Sequence, residues 1–332
     1  MIEVFGNKCD SGSKLFFTVD GPMYANRAVM KIPVIVLSGS QDGPTFWING
    51  TVHGDELNGS YAAWKLVREL NPADVKGNIV VTPIANVAAF VEQRKTSRID
   101  DLDMDTQFPG DAGGMASQMV AKLIYDEIRA HASFLINFHT ISKLYDAEPY
   151  TVSKIVPGAD PAVNQTALDL ALCFGVKNNC VVNLATATGE LPGVTNGALD
   201  ITCIKDGIPA FMGEMGHGGV ADPAVMAVAR RGLLNVMKKQ GMISGELEVP
   251  ELQYRITKRK FVRSPMGGLI EMTHKPGDIV SAGTTIAHFH YSDDKLTPFT
   301  VEQDSLIIAT RVYPAFNSGD RVAFLGLEWE EV

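Results

Sequence analysis

The sequence predicts an α/β domain followed by a small all-β domain. Between residues 33 and 241, short apolar runs alternate with amphipathic stretches, as in a sheet that helices cover on both faces. After Gly245 no long helical period occurs, and glycines separate short apolar runs. We therefore expect an α/β domain at 1–247 and an all-β domain at 248–332, joined near residues 245–250.

Five apolar runs have the length of strands. Several of them are almost entirely apolar, which is typical of central strands that are buried on both faces. These predicted strands are 34–37, 45–52, 79–84, 134–139 and 208–212.

Three segments have the apolar spacing of helices. Residues 57–70 and 116–130 repeat apolar side chains every three or four positions. Residues 222–240 begin with a capping Asp222 followed by proline and are succeeded by Gly241. We expect all three helices to pack on the sheet.

The all-β domain contains a weak internal repeat. The sequence PGDIV at 276–280 is echoed by SGDRV at 318–322, which suggests two similar hairpin units. Residues 263–280 resemble the barrel of biotinyl and lipoyl carrier domains. A carrier needs a lysine at a hairpin tip, and no lysine occurs between Leu296 and Tyr313. We expect instead a lid, a wall of the substrate site or an oligomer contact.

Charge and hydropathy exclude several classes of protein. Lys and Arg number 29 against 38 Asp and Glu, a net charge of −9, which argues against a nucleic-acid partner. No apolar run is long enough to span a membrane, and the first residues do not resemble a signal peptide. The four cysteines form no CxxC pair, as expected of reduced thiols. We therefore expect a soluble, cytoplasmic protein acting on a small molecule without a membrane partner, with a homo-oligomer left open.

Histidines and carboxylates occur together where predicted strands end. His53 and Glu56 follow the strand 45–52 at its turn into a helix, which is where α/β sheets place their sites. His139 ends the strand 134–139. Two imidazoles and one carboxylate are a ligand set of catalytic zinc. The alternatives, a solvated loop for the first pair and a hydrogen-bonded core histidine for His139, are weaker once the three are considered together.

Glu214 follows the strand 208–212 and is a candidate general base. A carboxylate beside a metal can take a proton from the attacking water and return it to the leaving amine. Two alternatives rank below this one: Glu214 forms a structural hydrogen bond, or His217 is the metal ligand.

These residues resemble the succinylglutamate desuccinylase and aspartoacylase family, relatives of the zinc carboxypeptidases. The resemblance covers roughly residues 30 to 245. It runs through His53-Gly54-Asp55-Glu56, Asn86 with Ala89-Phe90, the segment 98–110, His139 and Glu214.

The resemblance implies a fold, a cofactor and residue roles. The fold is a zinc-carboxypeptidase-like mixed sheet flanked by helices, and the cofactor is one Zn²⁺. The implied ligands are His53, Glu56 and His139, with Glu214 as general base. Arg98 aligns with the arginine that polarises the scissile carbonyl and supports the oxyanion, and Arg94 is a neighbouring competitor.

One segment departs from the family pattern. The family usually shows Asp-Leu-Asn-Arg-x-Phe-Pro-Gly, whose Asn-Arg pair holds a substrate carboxylate, whereas Asp105 and Thr106 occupy those two positions here. A hydroxyl cannot replace a bidentate guanidinium, and a carboxylate repels a carboxylate. This argues against N-acetylaspartate and succinylglutamate as substrates. Asp105 could bind a cationic amine or be a solvated loop residue, and another arginine could enter the pocket from elsewhere.

The sequence therefore predicts a zinc-dependent amidohydrolase that removes an N-acyl group from a small amino-acid or amine derivative. Zinc lowers the pKa of its water to about 7, Glu214 moves the proton, and zinc with Arg98 holds the oxyanion. Ester hydrolysis and carboxypeptidase-type cleavage use the same chemistry and stay open. An inactive metal-binding module is a further alternative, against which Glu214 and Arg98 argue.

Overall fold

The predicted α/β class is confirmed. The computed structural model describes residues 1–187, 197–292 and 295–332. A mixed sheet of 13 strands dominates these residues, with a four-stranded and a two-stranded antiparallel sheet beside it. The described strands, in chain order, are β1 Ile2–Val4, β2 Asn7–Cys9, β3 Ser13–Met23, β4 Val29–Ser38, β5 Gln41–Asn49, β6 Lys76–Thr82, β7 Phe134–Ile141, β8 Tyr145–Ala147, β9 Tyr150–Ile155, β10 Asn178–Asn183, β11 Ala210–His217, β12 Tyr254–Arg263, β13 Gly268–Met272, β14 Ile279–Val280, β15 Thr285–His290, β16 Thr297–Thr300, β17 Ser305–Arg311, β18 Ala315–Phe316 and β19 Arg321–Glu331.

Helices cover both faces of the large sheet. Within the described ranges, no helix combines the length and apolar character needed to cross a membrane. The described α-helices are α1 Asn58–Glu69, α2 Val87–Glu92, α3 Ala116–His131, α4 Pro161–Cys173, α5 Leu199–Lys205 and α6 Pro223–Lys239.

The predicted elements are all present. The five predicted strands correspond to β4, β5, β6, β7 and β11, and the three predicted helices to α1, α3 and α6. Helix α6 begins as expected, because the Asp222 carboxylate accepts hydrogen bonds from the N–H groups of Ala224 and Val225. The predicted strand 45–52 ends earlier, at Asn49, since the chain turns toward the site from Gly50 onward.

Alternate residues of the central strands face two separate apolar layers. Trp47, Val80 and Leu135 pack with α3 and α5 on one face. Their neighbours along the strands, such as Ile48 and Val81, pack with α1, α4 and α6 on the other. The four cysteines are free and buried in this structure, in agreement with the predicted reduced thiols.

The large sheet continues across the predicted domain boundary. Its order is β14-β17-β19-β12-β10-β9-β11-β7-β5-β6-β4-β3, with β8 attached to β17. Strand β12, which follows the predicted linker, pairs in parallel with β10. Among the described residues of 248–332 every regular element is a strand, as predicted, but four of these strands extend the sheet of the first domain. The division at 247/248 stays a prediction.

The internal repeat of the all-β segment forms two equivalent turns. The Asp278 carboxylate accepts a hydrogen bond from the N–H of Lys275, and the Asp320 carboxylate accepts one from the N–H of Asn317. In each turn the glycine before the aspartate has a positive φ, 91° and 85°. The similar sequences therefore encode the same backbone conformation.

Candidate metal centre and active site

The site lies where three adjacent parallel strands end. β7 pairs in parallel with β5 on one side and with β11 on the other. The carboxyl ends of parallel strands meet at one edge of a sheet, so residues that follow β5 lie beside residues that end β7 and β11. His53 and Glu56 come from the turn between β5 and α1, His139 from β7 and Glu214 from β11.

The β5–α1 turn is held by the segment around Asn86. The Asn86 side chain caps helix α2 through the N–H of Ala89 and donates a hydrogen bond to the Val52 carbonyl oxygen. A Cβ atom at Gly54 would lie 2.0 Å from the Ala89 carbonyl carbon, so this position admits only glycine. The Asn86 and Ala89 positions of the family resemblance therefore fix the backbone from which His53 projects.

His53, Glu56 and His139 converge on one point. The Nδ1 atoms of His53 and His139 each lie 3.0 Å from an oxygen of Glu56 and 3.3 Å from each other. One ligand atom from each residue lies within 4.8 Å of the others, and all three residues are buried. Two imidazoles and a carboxylate facing one point fit a single divalent ion, as in catalytic zinc sites. The structure thus brings together the three residues predicted as metal ligands.

The outer nitrogen of each imidazole is also engaged. His53 Nε2 lies 2.9 Å from Asp103 Oδ1, and Asp103 Oδ2 lies 2.7 Å from Lys95 Nζ. His139 Nε2 lies 2.8 Å from Asn137 Nδ2 and 3.7 Å from Asp105 Oδ1. Asp103 is an acceptor and orients the His53 ring so that its inner nitrogen faces the metal position. The Asn137 amide nitrogen is a donor, so its contact with His139 Nε2 is a hydrogen bond only while that ring nitrogen carries no proton.

The charged groups of the cluster shift one another's pKa values. Burial lowers the pKa of His53, but the Glu56 and Asp103 carboxylates outweigh burial and raise it to about 10. Burial raises the pKa of Glu56, yet the two imidazoles hold it well below its usual range. A metal ion must displace protons from these imidazoles, so its affinity should rise with pH.

Glu214 lies directly beside His139 in the β7–β11 register. It is buried, and its Oε2 atom has no hydrogen-bond partner in the described residues. Burial raises the pKa of Glu214; His139 opposes this and Glu56 adds to it, with a result of about 7. A carboxyl group that titrates near neutral pH can both accept and return a proton.

A cavity of about 170 Å³ opens over the cluster. Asp105 and Thr106, predicted to bind substrate, line it together with His53, His139 and Glu214. Asp105 is buried and accepts a hydrogen bond from Asn137 Nδ2 at 2.9 Å. The Asp105 carboxylate is therefore already hydrogen-bonded to Asn137, which in turn contacts His139.

Arg98 is not brought to this cavity. It is exposed, and its backbone N–H donates to the carboxylate of Glu92 at 2.8 Å. Lys95, three residues earlier, lines the cavity instead. Neither Arg94 nor His217 belongs to the cavity lining.

Sequence reasoning missed several residues in and around the cavity. Asn137 contacts His139 without lining the cavity, and it could have been found, because it lies two positions before His139 in a strand and so shares its face. Lys154 and Arg259 line the cavity from β9 and β12, which lie outside every motif of the family resemblance.

The site and fold can be compared with known proteins. Residues 42–239 match the model of the succinylglutamate desuccinylase/aspartoacylase catalytic domain. N-alpha-acetyl-L-2,4-diaminobutyric acid deacetylase of Halomonas elongata is 29% identical over 305 residues, which are 90% of this chain and 86% of that protein.

Solved structures agree over nearly the full length. The succinylglutamate desuccinylase/aspartoacylase from Rhodobacter sphaeroides is 26% identical with a TM-score of 0.83, covering 96% of this chain and 95% of that one. The product-bound ectoine utilization protein EutE (DoeB) from Ruegeria pomeroyi is 25% identical with a TM-score of 0.82, covering 94% of both chains.

We expect the protein to bind one zinc ion per chain and the His53→Ala and His139→Ala variants to lose it, because each variant removes one of three ligands. Metal content after dialysis against zinc-free buffer at a pH of about 7.5 measures this. His274→Ala removes a histidine from a turn outside the cavity and is the matched control. Full zinc content in both site variants would contradict the assignment.

The pKa of Glu214 predicts how pH changes stability. The folded protein keeps the proton up to a pH of about 7, whereas the ordinary carboxyl value is 4.5. The unfolded chain therefore releases the proton first, and stability is lost as pH rises between these values. The free energy of unfolding of the metal-free protein in urea measures this. The difference between Glu214→Gln and wild type should move in favour of the variant as pH rises from about 5 to about 8, a range that includes the raised pKa. The surface variant Glu302→Gln should show the same pH dependence of the free energy of unfolding as wild type. If Glu214→Gln also showed the wild-type pH dependence, the pKa of Glu214 would not be raised.

Proposed function

The chain belongs to the succinylglutamate desuccinylase/aspartoacylase family, and from that premise we propose that it is a zinc-dependent deacylase that removes the N-acyl group of a small amino-acid derivative. The observation that carries the proposal is the buried group of His53, Glu56 and His139 beside Glu214, whose carboxyl group has a pKa of about 7.

The proposed chemistry divides between the metal and the side chains. A zinc ion held by His53, Glu56 and His139 would supply a Lewis acid that activates water and polarises the acyl carbonyl group. Glu214 accepts the proton of the attacking water and delivers it to the departing nitrogen. Burial raises the pKa of Glu214 to about 7 in the metal-free protein, which brings its carboxyl group into the range where both transfers are accessible at neutral pH. Asp103 holds the His53 imidazole in its orientation, and Asn137 lies against the outer nitrogen of His139.

Lys95 is the cation that we propose beside the developing oxyanion. Its ammonium group lines the cavity and contacts Asp103, which in turn contacts His53. A fixed positive charge close to the reacting carbonyl stabilises the negative charge that forms there. The family resemblance assigns this role to Arg98, which does not line the cavity.

The substrate class is proposed from the relatives. The Halomonas elongata relative is a deacetylase of N-alpha-acetyl-L-2,4-diaminobutyric acid. Such a substrate combines an acetyl amide with a free amine and a carboxylate. A cavity of about 170 Å³ suits a molecule of that size. We therefore propose N-acetylated diamino acids as the first substrates to test.

Glu214→Gln should abolish deacylation while zinc content stays at one ion per chain, because the amide keeps the shape of the side chain but cannot accept a proton. Release of acetate from a panel of N-acetyl amino acids and N-acetyl diamino acids measures it, with Glu302→Gln as control. Near wild-type turnover in a zinc-loaded Glu214→Gln enzyme would eliminate Glu214 as the base.

Lys95 and Arg98 form a matched pair for the oxyanion assignment. We expect Lys95→Gln to lower kcat about 100-fold, Lys95→Arg to recover part of that loss, and Arg98→Gln to stay close to wild type. Metal content must be measured in parallel, since Lys95 also contacts Asp103. A large kcat loss in Arg98→Gln with an active Lys95→Gln would return the role to Arg98, as the resemblance implies.

A further inference from the structure

Most cations of the cavity already have a partner. Lys95 Nζ lies 2.7 Å from Asp103, and Lys154 Nζ lies 2.7 Å from the fully buried Asp200. Arg321 stacks its guanidinium 4.2 Å from the centre of the Phe261 ring. Each of these cations therefore already has a contact within the protein.

Arg259 differs from these cations. It lines the same cavity, yet within the described ranges no hydrogen bond or ion pair engages its guanidinium, and its Nε atom is buried without an acceptor. Arg259 is half-buried, and leaving its buried Nε donor without an acceptor costs free energy. A fixed cation of this kind is expected where an anionic ligand completes the pairing.

A β-bulge aims Arg259 at the cavity. Tyr254 and Ile256 of β12 face inward, and simple alternation would next turn Lys258 inward. The β12–β19 register shifts on both sides of Lys258, so that Arg259 and the buried Phe261 take the inward positions instead. The bulge places a guanidinium inside and leaves two lysines in solvent.

Arg259 lies on a wall of the cavity that is built by other strands than those that carry the metal ligands. That wall is built by β9, β10 and β12, whereas the ligands come from β7 and the β5–α1 turn. Burial raises the pKa of Tyr150 on β9, Glu214 adds to the rise, and the nearby Arg259 opposes it. The guanidinium charge therefore acts inside the cavity.

We propose that Arg259 binds the carboxylate of the N-acyl amino-acid substrate while the acyl group lies toward His53, Glu56 and His139. This assignment rests on the proposed deacylase function. A guanidinium pairs with a carboxylate through two parallel hydrogen bonds and so fixes the orientation of the substrate. The proposal also accounts for the departure from the family pattern at Asp105 and Thr106. The segment around them lacks the arginine that binds a substrate carboxylate in the family, and Arg259 of the all-β segment takes over that role.

The test compares two substrates that differ only in the carboxylate: N-alpha-acetyl-L-2,4-diaminobutyrate and its carboxamide. Arg259→Gln should raise KM for the carboxylate about 10- to 100-fold, with kcat within a few-fold and the carboxamide unaffected. Arg259→Lys should retain part of the preference. Lys260→Gln removes an exposed cation from the same strand and should behave as wild type.

Binding of both compounds to metal-free protein by calorimetry gives a readout independent of turnover. We expect Arg259→Gln to weaken binding of the carboxylate compound only. If wild type deacylates the substrate and Arg259→Gln keeps the full carboxylate preference, the Arg259 assignment is overturned and the deacylase function stands. If wild type deacylates nothing but binds the carboxylate through Arg259, the function falls and the anion site stands.

Discussion

The site depends on the register between β5, β7 and β11. Asn49 of β5 is paired with Asn137 of β7, and His139 of β7 is paired with Glu214 of β11. Because strand side chains alternate between faces, a slip of one residue would turn His139 and Asn137 to the opposite layer. Two apolar layers, one on each face, resist that slip, since every central strand would have to exchange its buried residues. The apolar core therefore sets the geometry of the polar cluster.

Within that frame, Glu56 organises the charges. One of its oxygens faces His53, and the other faces His139 and accepts the N–H of Thr140 at 3.0 Å. A carboxylate with three such neighbours stays ionised even when buried. Glu214 has no comparable partners, and burial dominates there. Two glutamates in one cavity thus differ in pKa because one is surrounded by donors and the other is not, which suits Glu56 to the proposed role of metal ligand and Glu214 to the proposed role of base.

The central part of the site could be predicted from sequence because each residue follows an apolar strand. His53, Glu56, His139 and Glu214 are tied to strand ends whose relative positions the α/β pattern already defines. The cation could not be placed in this way. Lys95 and Arg98 lie in an irregular segment between two residues with positive φ, Gln93 at 53° and Asp101 at 53°. There no period of two or 3.6 indicates which side chain points inward.

The all-β segment was expected to be a separate unit, and the pairing of β10 with β12 changes what it can do. Phe261 and Arg321 of this segment line the cavity together with Tyr150 of β9 and Val182 of β10. A wall built by one continuous sheet has little freedom to move as a lid, because opening it would break backbone hydrogen bonds along β12. Of the roles that the sequence left open, continuity of the sheet favours a fixed wall. Specificity at that wall can then change through single side chains of β12 while the metal ligands and the base stay untouched.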